Sequence, residues 1–243
     1  MTVVEHLDEL RRRLVISLLA VGVASIVGFV FFDTILDLLL RPYRNALLAL
    51  PPEARPQGAL SGRLVYSAPI EPFLTFLKVG FFSGLMIALP IVMWQVWGFI
   101  TPGLTSRERR LSAPFVISSV ALFAGGAAFS YALMPRGLSF LFSFGGDNLL
   151  PLLSVDRYLG FFIMLTLAFG LSFEFPILMV FLAGARIITT VQMRRWRRYV
   201  YLGLTIFAAI ITPTQDPYTM LLMTVPLILF YEIAILVARL FKR

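Results

Sequence analysis

The chain has 243 residues, 59% of them hydrophobic and only 14% charged, with a formal net charge of +8 and no cysteine. Soluble domains average about 25% charged residues, so this composition leaves too little polar surface for a soluble fold, and the missing cysteines exclude disulfides and thiolate metal sites. A basic balance can signal nucleic acid, but here the positive residues fall between apolar blocks, which assigns them first to membrane topology.

Taken in chain order, the opening stretch TVVEHLDELRRRL already has helical form. Val3, Val4, Leu7, Leu10 and Leu14 recur at helical spacing and make one apolar face. Thr2 with Glu5 fits a capping box, so the first helix is expected to begin near residue 3. Three acids and the lack of a small-residue cleavage site argue against a cleavable signal peptide. The first apolar block, about 14–32, is therefore expected to stay. Glu9 stands one turn before it and can pair with Arg13 at i,i+4 spacing. DTILDLLL then extends the helix past the membrane until Pro42, which is expected to end it because proline disfavours helix in the residue before it. PPEARPQG is turn material, and residues 33–72 are expected to form an ordered external cap.

The second block covers about 73–100. Its link FITPGLTSRERRL contains Pro102 and Gly103, which break the chain, and Thr105 with Glu108 at capping-box spacing. The third block is about 111–134, the fourth 158–185, the fifth 199–211 and the sixth 218–238. Each run is continuous and not alternating, so helices are expected rather than barrel strands. The fifth run, YVYLGLTIFAAII, covers only roughly 20 Å at 1.5 Å per residue. Either the bilayer thins there or the helix starts earlier, near Trp196, with snorkelling arginines. Pro90, Pro176 and Pro226 are expected to kink their helices. The GGAA run at 125–128 favours close helix packing.

Fourteen of the 21 basic residues lie at the N-terminus, in the second and fourth links and in the tail. The positive-inside rule then places both termini in the cytoplasm. The reading is an all-α membrane protein, a single integral domain over 1–243 with six transmembrane helices.

The chemistry of the chain is sparse. Its one histidine, His6, lies in the N-terminal segment. There is no HExxH, no phosphate-binding glycine loop and no dinucleotide fingerprint, and no Cys/His cluster for a metal. No enzyme, metal or cofactor is expected. Three carboxylates remain. Glu9 and Glu108, from separate helices, can converge on one cytoplasmic surface and hold two guanidinium groups, since arginine's planar fork matches carboxylates. Exposed pairs contribute only about 0–1 kcal/mol, so such a site requires a partly buried groove. The bland roles are an i,i+4 pair for Glu9 and a helix cap for Glu108.

Glu174 is the third, the only charged residue in LGFFIMLTLAFGLSFEFPILMVFLAG. A charge at such depth costs at least about 2.5–3.5 kcal/mol. Either a neutral carboxyl reaches the Ser172 carbonyl that Pro176 frees, or the acid serves a proton, an ion or a polar group on another helix. Glu232, near the cytoplasmic end of the sixth block, is expected to reach the interface or pair with Arg239. Two function classes follow: a receptor and core for polypeptide export, and a proton-coupled small-solute transporter using Glu174. The second lacks visible inverted repeats and gives Glu9 and Glu108 no role.

The motifs HLDELRRRL, PIVMWQVWGFITPGLTSRERR, FGLSFEFP and ITPTQDPYTMLLMTVPLILFYE, colinear over nearly the whole chain, resemble the TatC family, the multispanning core of the twin-arginine protein translocase. The resemblance implies a cup-shaped six-helix bundle with kinked helices, short fifth and sixth helices and cytoplasmic termini, in the bacterial or archaeal cytoplasmic membrane. It implies recognition of twin-arginine signal peptides and export of folded proteins, driven by the proton-motive force. Single-span TatA/TatB-type sister subunits, membrane lipid and further copies of the chain are the implied partners. By position, Glu9 and Glu108 resemble the acids that receive the twin arginines, framed by Arg11, Phe99, Pro102, Leu104 and Arg109. Glu174 and Gln95 resemble an intramembrane polar site for a partner helix. Pro42, Pro90, Pro176 and Asp216 match positions of structural or functional weight. The end departs from the family pattern, with Thr219–Met220 where many members carry Ser-Gln.

Overall fold

In the computed structural model, residues 3–50, 65–100, 112–143, 153–184, 187–211 and 217–240 are described. They form eight helices: α1 Val3–Val30, α2 Phe32–Leu48, α3 Glu71–Ile100, α4 Ser112–Ser143, α5 Val155–Phe173, α6 Phe175–Gly184, α7 Thr190–Ile211 and α8 Pro217–Leu240. A lone bridge between Val65 and Ser154 is the only β-type pairing among the described residues. Among the described residues five spans are long and apolar enough to cross a membrane: Val4–Val30, Glu71–Ile100, Pro114–Ser143, Val155–Gly184 and Thr219–Arg239. The chain divides into two compact units, Met1–Ser112 with Tyr131–Ile163, and Ala113–Ser130 with Met164–Arg243.

In the first unit α1 packs on α3 through small residues. A Cβ added at Gly28 would lie 2.7 Å from the Gly80 carbonyl oxygen, and one at Gly84 would lie 2.7 Å from the Ser25 backbone. These helices therefore approach nearly backbone to backbone, as small residues allow where lipid supplies no hydrophobic drive between helices. The side of α1 carrying Leu18, Leu19, Val23, Ile26 and Val30 is exposed, as suits a helix solvated by acyl chains.

Pro42 does not end a helix. α1 bends at Phe31, whose ψ of 26° leaves the helical region, and α2 then runs through Pro42 to Leu48. The proline removes the donor that would bond the Leu38 carbonyl. That carbonyl instead accepts from the Tyr131 hydroxyl at 2.9 Å, and the next one, Leu39, accepts from the Tyr158 hydroxyl at 2.6 Å. Two tyrosines from α4 and α5 thus satisfy the disturbed turn. Leu39, Leu40, Tyr43, Ala46 and Leu47 form its buried face, so α2 is an amphipathic helix within the stretch expected as a cap, of which residues 51–64 lie outside the described residues.

In the second unit, Gly126 lets α4 meet α5: a Cβ there would lie 2.6 Å from the Phe169 carbonyl oxygen, in line with the close packing expected at 125–128. The fourth apolar block is two helices. Pro176 has no N–H to give the Ser172 carbonyl, which interrupts the helical ladder there. The Glu174 amide turns to the Leu171 carbonyl at 3.1 Å, a tightened turn, before α6 resumes with Leu178 bonded to Glu174 at 3.1 Å. Pro90 and Pro226 lie within continuous helices. The third block extends past its expected end, through Pro135 to Ser143.

α7 begins at Thr190, ahead of Trp196. At 22 residues it spans roughly 33 Å, so the helix is longer than its apolar core and carries Arg194, Arg195, Arg197 and Arg198 on its first turns. α7 and α8, with 22 and 24 residues, remain shorter than α3 and α4, with 30 and 32.

Candidate functional site

The N-terminal turns of α1 lie against the C-terminal turns of α3. His6, Glu9 and Arg13, at i, i+3 and i+7, share a face of α1; Gln95, Gly98 and Phe99, at i, i+3 and i+4, share one on α3. The rings of His6 and Phe99 stack at 4.4 Å with an interplanar angle of 18°. Arg13 donates to Glu9 Oε1 from Nε at 3.0 Å and Nη2 at 2.6 Å, and Nη1 reaches Gln95 Oε1 at 3.4 Å. The Glu9 side chain is 18% exposed. Its second oxygen, Oε2, is buried with no hydrogen-bond partner among the described residues. Bare Gly98 makes room for the guanidinium, since any Cβ there would strike Arg13 Nη1.

Glu9 and Phe99 are thus brought together as the sequence suggests, and the i,i+4 pair with Arg13 is real. Gln95, grouped above with Glu174, stands instead beside Arg13. Arg11 is exposed on the same helix. Glu108, Pro102, Leu104, Arg109 and Asp216 lie outside the described residues. Arg13, His6 and Gly98 were not singled out as site residues; the matched three- and four-residue spacings on the two helices were the signal available.

Glu174 sits at the α5–α6 break, half-buried. Its carboxyl is turned to the Ser119 hydroxyl and to the backbone of Phe123 on α4, and Oε1 is buried with no hydrogen-bond partner among the described residues. No ion pair to it occurs among the described residues. Glu232 pairs not with Arg239 but with Arg197 across α7 and α8, and also accepts from the Tyr201 hydroxyl. Arg239 lies two turns further along α8, whereas the packing of α7 on α8 brings Arg197 alongside. The Tyr231 hydroxyl donates to the Met193 carbonyl at 2.8 Å and joins the same two helices.

A family model of the Sec-independent protein translocase protein TatC matches residues 5–226. The chain belongs to the TatC family. A TatC protein of Aquifex aeolicus is 37% identical over 246 residues, covering 100% of this chain and 97% of the relative. The TatC protein of Koribacter versatilis is 39% identical over 239 residues, covering 98% and 85%. That of Frankia casuarinae is 40% identical over 241 residues, and the present chain spans 98% of itself but only 65% of that longer relative. A crystal structure of the twin arginine translocase receptor TatC superposes with a TM-score of 0.79 at 36% identity, covering 98% of this chain and 100% of the other. This TatC-family chain is a protein-transport component, a multi-pass protein of the bacterial cytoplasmic membrane, and the solute-transporter alternative draws no support from these relatives.

Proposed function

We propose that the chain is the signal-peptide receptor and core of a translocase that exports folded proteins bearing twin-arginine signal peptides, driven by the proton-motive force. Both termini face the cytoplasm in this reading, and six helices span the membrane. The observation that carries it is Glu9: a carboxylate only 18% exposed, at the basic end of α1, with one oxygen buried and unfilled. A guanidinium supplies the missing donor, and in such a partly desolvated place a charge-assisted bond contributes more than at an open surface. Glu108, nine residues beyond Phe99, supplies the second acid; Arg11, Phe99, Pro102, Leu104 and Arg109 frame the site.

Glu174 has a separate role in this reading. It lies within an apolar span with a hydroxyl and a backbone group beside it, and it offers its bare oxygen to a polar group on the helix of a single-span sister subunit.

The test is binding of a twin-arginine signal peptide to the protein in lipid nanodiscs, beside a twin-lysine peptide. Selective binding that Glu9→Ala/Glu108→Ala abolishes supports the reading. Equal binding of both peptides by wild type and double mutant contradicts it.

A further inference from the structure

Glu9 already holds a resident guanidinium, and the manner of holding is unusual. A bidentate arginine–carboxylate pair ordinarily shares two donors between two oxygens. Here Nε and Nη2 of Arg13 both converge on Oε1, at 3.0 and 2.6 Å. Oε2 is left buried and without a partner among the described residues. Arg13 is itself held from α3: Nη1 reaches Gln95 at 3.4 Å, and the guanidinium occupies the space that a side chain at position 98 would take. The carboxylate is thus fixed in one orientation, with one oxygen filled and the other an unfilled buried acceptor that an outside donor can relieve.

We propose that Arg13 is a positioning residue for guanidinium recognition: it occupies Oε1 of Glu9, thereby presents Oε2 to an incoming arginine, and makes the site prefer arginine to lysine. The inference rests on the receptor reading of this end of the molecule. The preference follows from the charge beside the acceptor. Any cation reaching Oε2 comes close to Arg13. A delocalised, weakly hydrated guanidinium tolerates that neighbour and stacks on an aromatic face such as the His6–Phe99 pair. A compact ammonium has to shed tightly held water there and keeps its charge at a point.

The sign of one substitution separates this role from two others. Removing Arg13 removes a positive charge beside an acid, so plain electrostatics predicts tighter binding of every cationic peptide. Positioning predicts weaker binding of the arginine peptide. The experiment uses the full chain in lipid nanodiscs, with twin-arginine and twin-lysine signal peptides and a thermal midpoint for each variant. Arg13→Ala is expected to weaken the twin-arginine peptide about tenfold, the scale of one charge-assisted hydrogen bond, and to bring its affinity close to that of the twin-lysine peptide. Arg13→Lys keeps the charge but loses the fork, and Gly98→Ala displaces the guanidinium without changing charge; both are expected to lower the arginine-to-lysine ratio in the same direction.

Tighter binding of both peptides by Arg13→Ala would make the residue a resident competitor and overturn the proposal. Equal weakening of both peptides, with a lowered thermal midpoint, would make it a strut between α1 and α3 and overturn it as well. A wild-type preference that all three variants retain overturns this inference alone. A wild type with no preference overturns the receptor reading itself.

Discussion

Glu9 and Glu174 are both carboxylates with one buried, unfilled oxygen, yet their surroundings differ in kind. Glu9 stands at a helix end among arginines, with Arg13 on one oxygen and an aromatic pair beside it. Glu174 stands inside an apolar span, at a proline-induced break, with Ser119 and the Phe123 backbone as neighbours. A cation from water can reach the first without crossing hydrocarbon. The second sits where a free charge is costly, and the visitor proposed for it is another helix carrying a polar group. In the proposed reading the same side chain serves two partners, distinguished by depth and by the charge already present.

The largest expected effect splits the two acids. Glu9→Ala abolishes twin-arginine peptide binding and leaves association with single-span sister subunits intact. Glu174→Ala leaves peptide binding within about twofold, under 0.5 kcal/mol, and abolishes that association, read by co-purification from membranes. A loss of peptide binding in Glu174→Ala with assembly untouched would erase the distinction.

A smaller effect supplies the structural control. Tyr131→Phe leaves the Leu38 carbonyl without its 2.9 Å donor and is expected to lower stability by about 1 kcal/mol, measured as a thermal midpoint in detergent. Pro42→Ala restores a backbone donor to that carbonyl, so the double mutant should lose less than the sum of the two singles. Neither peptide binding nor subunit association should change. If either does, the receptor end is coupled to α2 and the two acids are not independent of the scaffold.

The smallest effect concerns a third acid, Asp37 on α2, an exposed carboxylate paired with Arg44 and Arg41. The hydrogen bond from Arg44 comes first among the causes that hold its pKa below the ordinary carboxylate value. A depressed folded-state pKa means that its contribution is present above the unfolded pKa, about 3.9, and is lost as pH falls through the lower folded value. Asp37→Asn should flatten that acid limb of stability slightly and change nothing at pH 7 beyond the loss of an exposed pair. Asp37 shows what a carboxylate with arginines looks like when both its oxygens are engaged in the open: a pair, not a site.

The apolar blocks, the early start of α1 and the oddity of Glu174 were legible in the sequence because each rests on local periodicity or on one residue's cost in hydrocarbon. The helix continues through Pro42 because its rescue comes from Tyr131 and Tyr158, 89 and 116 residues away by their numbers, and no local rule contains them. Arg239 is near Glu232 in sequence, whereas Arg197 is near it in space. Gln95 was grouped with Glu174 on resemblance, and its 3.4 Å approach to Arg13 crosses 82 positions. Residue types could be read as chemistry; the partner of each polar group depended on which helices pack.

The most direct measurement is a double-mutant cycle across the proposed contact. Glu9→Gln in the full chain is combined with replacement of each signal-peptide arginine in turn by glutamine, and the four affinities of each cycle are measured in nanodiscs. The account predicts a coupling of at least about 1.5 kcal/mol, the scale of a hydrogen bond to a charged group, between Glu9 and one of the two arginines, and much less with the other. Coupling near zero to both arginines, with Glu9→Gln still weakening the peptide, would mean that Glu9 acts from a distance and that its bare oxygen is not the place where the signal is read.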